Sequence, residues 1–184
     1  ADITHDKPDF KPFDWTTYPE KLQEAGVSWK VYQEYDNFGD NPLASFAAFR
    51  NVDKNTWAYR GARSIVEGSG PADMQTTEGR YLIAAFERDV AQGKLPQVSW
   101  IVPPTALSEH PNAPPGYGEY LISQLMDVFV RHPDVWSKTV FILNYDANDG
   151  FFDHVPPPVP ALDAQQGACT VPTAGEHYNG APVG

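Results

Sequence analysis

The sequence is poor in cysteine, in cations and in long apolar runs, and each shortage excludes a class of protein. Its one cysteine, Cys169, rules out a disulfide within the chain. Lysine and arginine number 13 against 24 acidic residues, a net charge of −11 that argues against binding to nucleic acid or to anionic lipid. No apolar run reaches the roughly 20 residues of a membrane-spanning helix. Metal ions, other cations and zwitterionic or neutral substrates stay open as partners.

What the sequence does have is a globular composition over 184 residues, with 41% hydrophobic and 13% aromatic residues. A chain of this length can bury a core of ordinary size. Its five tryptophans and nine tyrosines are expected mainly in that core. A cation-binding aromatic cage is the alternative for them.

Hydrophobic periodicity predicts strands that alternate with helices along the chain. The predicted helices cover 18–25, 77–94 and 118–133, and the predicted strands cover 27–33, 97–102 and 139–146. This order is typical of an α/β fold with parallel βαβ units. The unbroken apolar run at 139–146 favours a strand buried on both faces. The loops after 102 and 146 should therefore leave the same edge of the sheet, where open α/β sheets place their sites.

Polar side chains are concentrated in those two loops. They are Glu109, His110, Asp146, Asn148, Asp149, Asp153 and His154. Carboxylates, amides and imidazoles are the groups that hold divalent cations. Asp149 precedes Gly150, however, and Asp-Gly is also ordinary turn chemistry. The pattern alone leaves a metal or catalytic site and a structural loop both open.

Three segments together resemble the bacterial phosphocholine-type phospholipases C, a family related to acid phosphatases. They are LNYDANDGFFDHVPPP, KLPQVSWIVPPTALSEHP and DWTTYPEKLQEAGVSWKVYQEYDNFGDNPLASFAAFR. The resemblance implies an alkaline-phosphatase-like α/β sandwich with a parallel sheet, only partly represented in this chain. It also implies hydrolysis of phospholipid head groups, a divalent metal ion, and export from a bacterial cell to the periplasm or the medium.

The resemblance also suggests roles for the polar residues of the two loops. Asp146 would hold the metal, and His110 would stabilise or protonate phosphate oxygens or the leaving group. Asp149 and His154 would be further catalytic residues. Glu109, Asn148 and Asp153 would support the residues that touch the metal and the substrate.

Two departures from the family pattern bear on activity. The family motif usually reads Asp-Glu-Asn-Asp, and here Ala147 stands at the Glu position. This loss could weaken metal binding, or it could be drift at a supporting position or an engineered residue. The family's nucleophilic Ser or Thr and its metal-binding Glu-Asn pair have no match in residues 1–60. No nucleophile is therefore identified in this chain, which could be inactive by itself.

The chain is accordingly expected to be the central part of one phosphoesterase catalytic domain. This part of the domain would cover residues 1–184, and 1–15 and 159–184 would mostly lack regular secondary structure. Expected partners are a phospholipid or phosphate-ester substrate and the missing segments of the same enzyme. Two alternatives stay open: an acid phosphatase acting on soluble phosphomonoesters, and a non-catalytic module that binds choline or lipid head groups.

Overall fold

The computed structural model describes residues 10–73, 77–111 and 113–145, together with the backbone of 177–178 and 181–182. The chain divides into two compact units, Ala1–Phe141 and Ile142–Gly184. In the second unit, strand β3 (His177–Tyr178) pairs antiparallel with β4 (Ala181–Pro182). All other strands and helices given below belong to the first unit.

A small parallel sheet lies at the centre of the first unit. Strand β1 (Trp29–Tyr32) pairs with β2 (Val98–Ile101), with Trp29 opposite Val98 and Tyr32 opposite Ile101. The ladder continues past the strands, because Val102 donates its backbone N–H to the Tyr32 carbonyl at 3.0 Å. The predicted strands at 27–33 and 97–102 are therefore confirmed in slightly shorter form.

Helices flank and connect these strands. Helix α1 covers Tyr18–Glu24, α2 Arg80–Ala91, α3 Gly116–Arg131 and α4 Pro133–Trp136. At the start of α1, Glu20 accepts hydrogen bonds from the backbone N–H and the hydroxyl of Thr17, at 2.7 and 2.8 Å. This capping arrangement explains where α1 begins. Helix α2 lies between β1 and β2 in the chain, so the unit contains the expected βαβ crossover.

The core consists of two clusters on opposite faces of β1. Tyr32 packs with Leu82, Phe86 and residues of α3, including Phe129. Trp29 and Val31 belong to the second cluster, with Leu22, Leu43 and Phe49. Successive side chains of a strand point to opposite faces, so this division follows from the alternation along β1. The mixed helix and strand content with a parallel sheet confirms the α/β class.

The third predicted strand is the main correction to the sequence analysis. Residues 139–145 form no strand, and Val140 is 84% exposed instead of buried on both faces. Phe141 packs partly against the first cluster, with its ring centroid 6.2 Å from that of Phe129, a spacing within the usual range for aromatic pairs. A strand needs a neighbour for its backbone hydrogen bonds, and in the first unit the described sheet contains β1 and β2 alone.

The tryptophans are less buried than expected from their predicted place in the core. Trp29 is buried, but Trp15, Trp57 and Trp136 are exposed by 59%, 39% and 39%. Short 3₁₀ turns lie at Pro42–Ser45 and Ala47–Phe49. In the described part of the chain, no helix is long and apolar enough to cross a membrane.

Candidate functional site

The loops that follow β1 and β2 meet at the carboxyl edge of the sheet. Thr105 donates its hydroxyl to the Oδ1 atom of Asp36 over 2.6 Å, although the two residues lie 69 positions apart. The rings of Phe38 and His110 also approach, with centroids 4.8 Å apart. The loop after 102, which contains Glu109 and His110, therefore lies at the carboxyl edge of the sheet. That the loop after 146 leaves the same edge stays a prediction.

Asp36 is buried, with 2% of its surface exposed. Besides the Thr105 hydroxyl, its Oδ1 atom accepts the backbone N–H of Phe38 at 3.4 Å. Thr105 opens a short 3₁₀ turn, Thr105–Leu107, directly after Pro104. A buried carboxylate requires hydrogen-bond donors, so Asp36 binds the second loop to the first.

Phe38 holds the exposed imidazole of His110 at this edge. Its backbone φ is +59°, a left-handed conformation that is costly for a residue with a bulky side chain. Such conformations persist where the surrounding structure enforces them, and they are frequent in binding and catalytic loops. The ring of Phe38 covers one side of His110 and leaves the imidazole exposed to solvent.

Glu109 lies against the start of α3. A Cβ atom built on Gly118 would meet the Glu109 side chain, with its carboxyl carbon at 2.7 Å. The absence of a side chain at Gly118 therefore makes room for Glu109. A carboxylate beside the first turns of a helix is favoured by the positive end of the helix dipole. This contact fixes the loop that carries His110 relative to α3.

A buried network of side-chain amides stabilises the loop that follows β1. The Gln33 side chain donates to the Ala62 carbonyl at 3.1 Å and accepts from Asn37 and Asn41 at 3.0 and 2.9 Å. Asn41 also donates to the Ala62 carbonyl at 2.7 Å. Gln33, Asn37 and Asn41 are each at most 2% exposed. A satisfied buried network of this kind gives the loop one defined conformation.

Glu34 caps the amino terminus of α2. Its Oε1 atom accepts the backbone N–H groups of Tyr81 and Leu82 at 3.1 and 3.0 Å. The N-cap residue of α2 is Gly79, which has no side chain to do this. The other oxygen of Glu34 is buried without a hydrogen-bond partner. Glu34 thus stabilises the helix with a buried carboxylate from the end of β1.

The pKa of Tyr32, at the end of β1, is strongly raised. Burial, and then the hydrogen bond to Asp89, hold the pKa of Tyr32 well above its ordinary value. The Tyr32 hydroxyl donates to Asp89 at 2.6 Å, and the Lys30 ammonium lies 3.1 Å from the same carboxylate oxygen. Lys30 also lies 4.1 Å above the Tyr32 ring. The contacts among Lys30, Tyr32 and Asp89 join β1 to α2, and the raised pKa keeps Tyr32 neutral.

The structure describes two of the seven predicted site residues. Glu109 and His110 lie at the carboxyl edge as given above. Asp146, Asn148, Asp149, Asp153 and His154 lie outside the described residues, and whether they converge with His110 stays a prediction. Among residues that the structure does describe, no three His, Cys, Asp or Glu side chains are grouped to hold a metal ion. The divalent metal therefore also stays a prediction.

Sequence reasoning did not single out Asp36, Thr105 or the Gln33 network. A signal was present in the run QEYDNFGDN at 33–41, which is rich in polar residues directly after a strand. Such residues at the carboxyl end of a buried parallel strand are candidates for a site. Thr105 gave no comparable signal, because its partner lies 69 residues away.

The sequence of this chain is similar to those of known proteins. The sequence model of the Phosphoesterase family matches residues 2–184. A non-hemolytic phospholipase C of Burkholderia pseudomallei is 40% identical over 91% of this chain. A hemolytic phospholipase C of Pseudomonas aeruginosa is 37% identical over 93% of the chain. A non-hemolytic phospholipase C of the same species is 44% identical over 82% of it.

These relatives are much longer than the chain. The matched region spans 25%, 25% and 20% of the three relatives. The match nevertheless covers nearly the whole chain, including both loops at the carboxyl edge of the sheet. On the family match and on identities of 37% to 44%, this chain belongs to the Phosphoesterase family.

Proposed function

We propose that this chain forms part of the active site of a phospholipase C that hydrolyses the phosphodiester of phospholipid head groups. The observation that carries the proposal is that the loops after β1 and β2 meet at the carboxyl edge of a parallel sheet, through the Thr105–Asp36 hydrogen bond and the ring contact of Phe38 with His110. Such an edge is the usual site in open α/β folds. Membership of the Phosphoesterase family and three relatives named phospholipase C support the reaction class.

In this proposal His110 acts on the departing oxygen. An exposed imidazole can donate a proton to the diacylglycerol alkoxide as the bond from phosphorus to oxygen breaks. In its charged form it can also stabilise negative charge on the phosphoryl oxygens. Phe38 and Glu109 would keep the loop of His110 in place during these events, through the ring contact and the packing against Gly118.

A divalent cation belongs to the same proposal, with Asp146 as its ligand. The cation would supply neutralisation of phosphoryl charge and a lowered pKa for a hydroxyl nucleophile. Asp149 and His154 would act as further catalytic residues, with Asn148 and Asp153 supporting them. Ala147 removes a carboxylate expected at this point, so we expect weaker cation binding than in relatives that keep it.

The overall frame is proposed to be an alkaline-phosphatase-like sandwich, of which β1 and β2 would be two neighbouring strands. The hydroxyl nucleophile would come from a region of a longer protein beyond this chain, since the chain spans about a quarter of the relatives. Bacterial export to the periplasm or the medium is also part of the proposal, on the resemblance to exported phospholipases C described above.

The test combines turnover with cation binding. Hydrolysis of a chromogenic phosphocholine diester is measured on this chain, and on a full-length protein that contains it, with and without a chelator. We expect chelator-sensitive turnover by the full-length protein and its loss in His110→Ala. Calorimetric titration with divalent cations should show binding that Asp146→Asn abolishes and that Asp127→Asn, an exposed carboxylate on α3, leaves unchanged. Unchanged turnover in His110→Ala would refute the role of His110.

The acid-phosphatase alternative predicts preference for soluble phosphomonoesters, and a panel of mono- and diesters distinguishes the two. The names of the relatives favour the diester. A non-catalytic choline-binding module would instead bind choline equally well with the chelator present and show no turnover at full length.

A further inference from the structure

An exposed cluster of four aromatic rings, called the aromatic patch below, consists of Phe10, Phe13, Trp15 and Phe46. The Phe13 ring centroid lies 5.9 Å from that of Phe10, 4.6 Å from that of Trp15 and 5.5 Å from that of Phe46. Trp15 and Phe46 make a further edge contact at 5.3 Å. The four rings therefore form one continuous surface and are not scattered side chains.

Three of these rings are exposed to solvent. Phe10, Phe13 and Trp15 are 37%, 41% and 59% exposed. Phe46 is half-buried and packs against the second core cluster, so it anchors the patch to the fold. Clustered exposed apolar surface marks a site of interaction more often than single exposed residues do.

The backbone holds the patch in place. Phe13 donates its N–H to the Ser45 carbonyl at 2.9 Å, and its carbonyl accepts the N–H of Ala47 at 2.8 Å. These two bonds form a parallel bridge between Phe13 and Phe46. The rings are thus positioned before any partner arrives, which reduces the ordering cost of binding.

Two cationic side chains accompany the rings, although the chain as a whole has a negative net charge. Lys11 is exposed and lies between Phe10 and Phe13 in the chain, and the Arg50 guanidinium lies 5.0 Å above the Phe10 ring. Exposed Asp14 adds one negative charge among residues 10–15. The whole chain carries −11. Cations beside the rings suit phosphate groups, and aromatic faces suit quaternary ammonium groups. A membrane surface that presents both phosphate and quaternary ammonium groups is zwitterionic. The negative net charge of the chain disfavours binding to an anionic membrane.

We propose that the aromatic patch docks the protein onto a zwitterionic phospholipid bilayer, with Trp15 and Phe13 at the depth of the head groups. Tryptophan is favoured at that depth because its ring is amphipathic. Lys11 would then lie at the level of the lipid phosphates. The choice of a membrane as partner rests in part on the function proposed above, since a phospholipid substrate is presented by a bilayer.

The test measures binding of this chain to vesicles of phosphatidylcholine by co-sedimentation and tryptophan fluorescence. We expect a blue shift of emission and quenching by lipids brominated near the head group. Trp15→Ala should weaken binding by about tenfold. The control, Tyr120→Ala, removes an aromatic ring with 43% exposure on α3 and should bind like the unaltered chain. Lys11→Glu, which leaves every ring in place, should also weaken binding.

Three results would overturn the proposal. They are equal binding by Trp15→Ala and Tyr120→Ala, stronger binding to phosphatidylserine than to phosphatidylcholine, and self-association in solution that Trp15→Ala abolishes. The third would assign the patch to a second copy of the chain. Vesicle binding needs no turnover, and hydrolysis of a soluble phosphocholine diester needs no vesicle, so failure of docking and failure of the proposed hydrolysis are separate results.

Discussion

Thr105 and buried Asp36 share a hydrogen bond of 2.6 Å that joins the loops after β1 and β2. Neither residue is a proposed ligand or acid, yet their bond determines how the first loop approaches the loop of His110. Hydrogen bonds to charged groups stabilise proteins more than neutral ones do. The geometry around His110 therefore depends in part on a pair to which our proposal gives no catalytic role.

We predict that Thr105→Val separates the two loops. Asp36 would keep only the longer bond from the Phe38 N–H among those described above. The free energy of unfolding should fall by about 1 to 3 kcal/mol, because a buried carboxylate loses a donor. Denaturant unfolding measures this, and the NMR shifts of the His110 imidazole report the loop. Thr16→Val, at an exposed position, is the control, and equal stability of the two variants would contradict the prediction.

Removal of the Glu34 side chain should loosen the beginning of α2. In Glu34→Ala the N–H groups of Tyr81 and Leu82 lose their acceptor, at a cost of about 1 to 3 kcal/mol. Amide hydrogen exchange should accelerate at these two residues before it does so elsewhere in α2. Glu34→Gln keeps an acceptor oxygen of the same reach and should lose less stability. If both variants exchange alike, the carboxylate does not cap the helix.

Replacement of Gly118 should reveal the contact with Glu109. Alanine normally favours a helix interior over glycine by about 1 kcal/mol, but here the added Cβ meets the Glu109 side chain. We expect Gly118→Ala to destabilise the protein alone and to stabilise it in a Glu109→Ala background. Gly116→Ala, in the same helix with nothing within 4 Å, is the matched control. Additive effects of the substitutions at 109 and 118 would disprove the contact.

Tyr32 should make stability depend on alkaline pH. Its pKa is raised in the folded protein, whereas tyrosine in an unfolded chain titrates near 10.0. Below that pH the contribution of Tyr32 is complete, and above it the unfolded chain loses the proton first, so the free energy of unfolding falls as pH rises. In Tyr32→Phe this part of the decline should disappear. Urea unfolding from pH 8 to pH 11 tests the difference between the two proteins.

Tyr32→Phe also has an expected effect at neutral pH. Asp89 loses the Tyr32 hydroxyl but keeps Lys30 at 3.1 Å, so the loss should be modest, about 1 to 2 kcal/mol. Tyr81→Phe is a suitable control, because it removes the hydroxyl of another tyrosine of the same unit, whereas Tyr32 donates its hydroxyl to Asp89. The control should keep the alkaline decline of the original protein.

Sequence patterns predicted the elements whose signals are local. Leu82, Phe86 and Val90 recur at helical spacing, and all three are buried in α2. The strand prediction at 139–146 was wrong over 139–145 because an apolar run indicates a preference for burial without supplying a neighbouring strand. Val140 is 84% exposed there. Strand formation depends on partners distant in the chain, and no local pattern contains them.

The same distinction applies to the candidate site. His110 and Glu109 could be named from sequence because their loop follows a recognisable strand and resembles a family motif. The run 33–41 gave a signal for polar residues after a strand, but the separate roles of Asp36 and Glu34 could not be named, since they come from partners 69 and 47 to 48 residues away. Burial decides which of many acidic residues are structurally important, and burial is a property of the folded chain.

The capping of α2 by Glu34 has a consequence for how the unit folds. Gly79 offers the helix no cap of its own, so a freshly formed α2 lacks an acceptor until β1 docks beside it. Glu34 in turn has no way to bury its charge before α2 exists. Each element thus depends on the other, and we expect β1 and α2 to form and open as one cooperative unit, visible as shared protection in native-state hydrogen exchange.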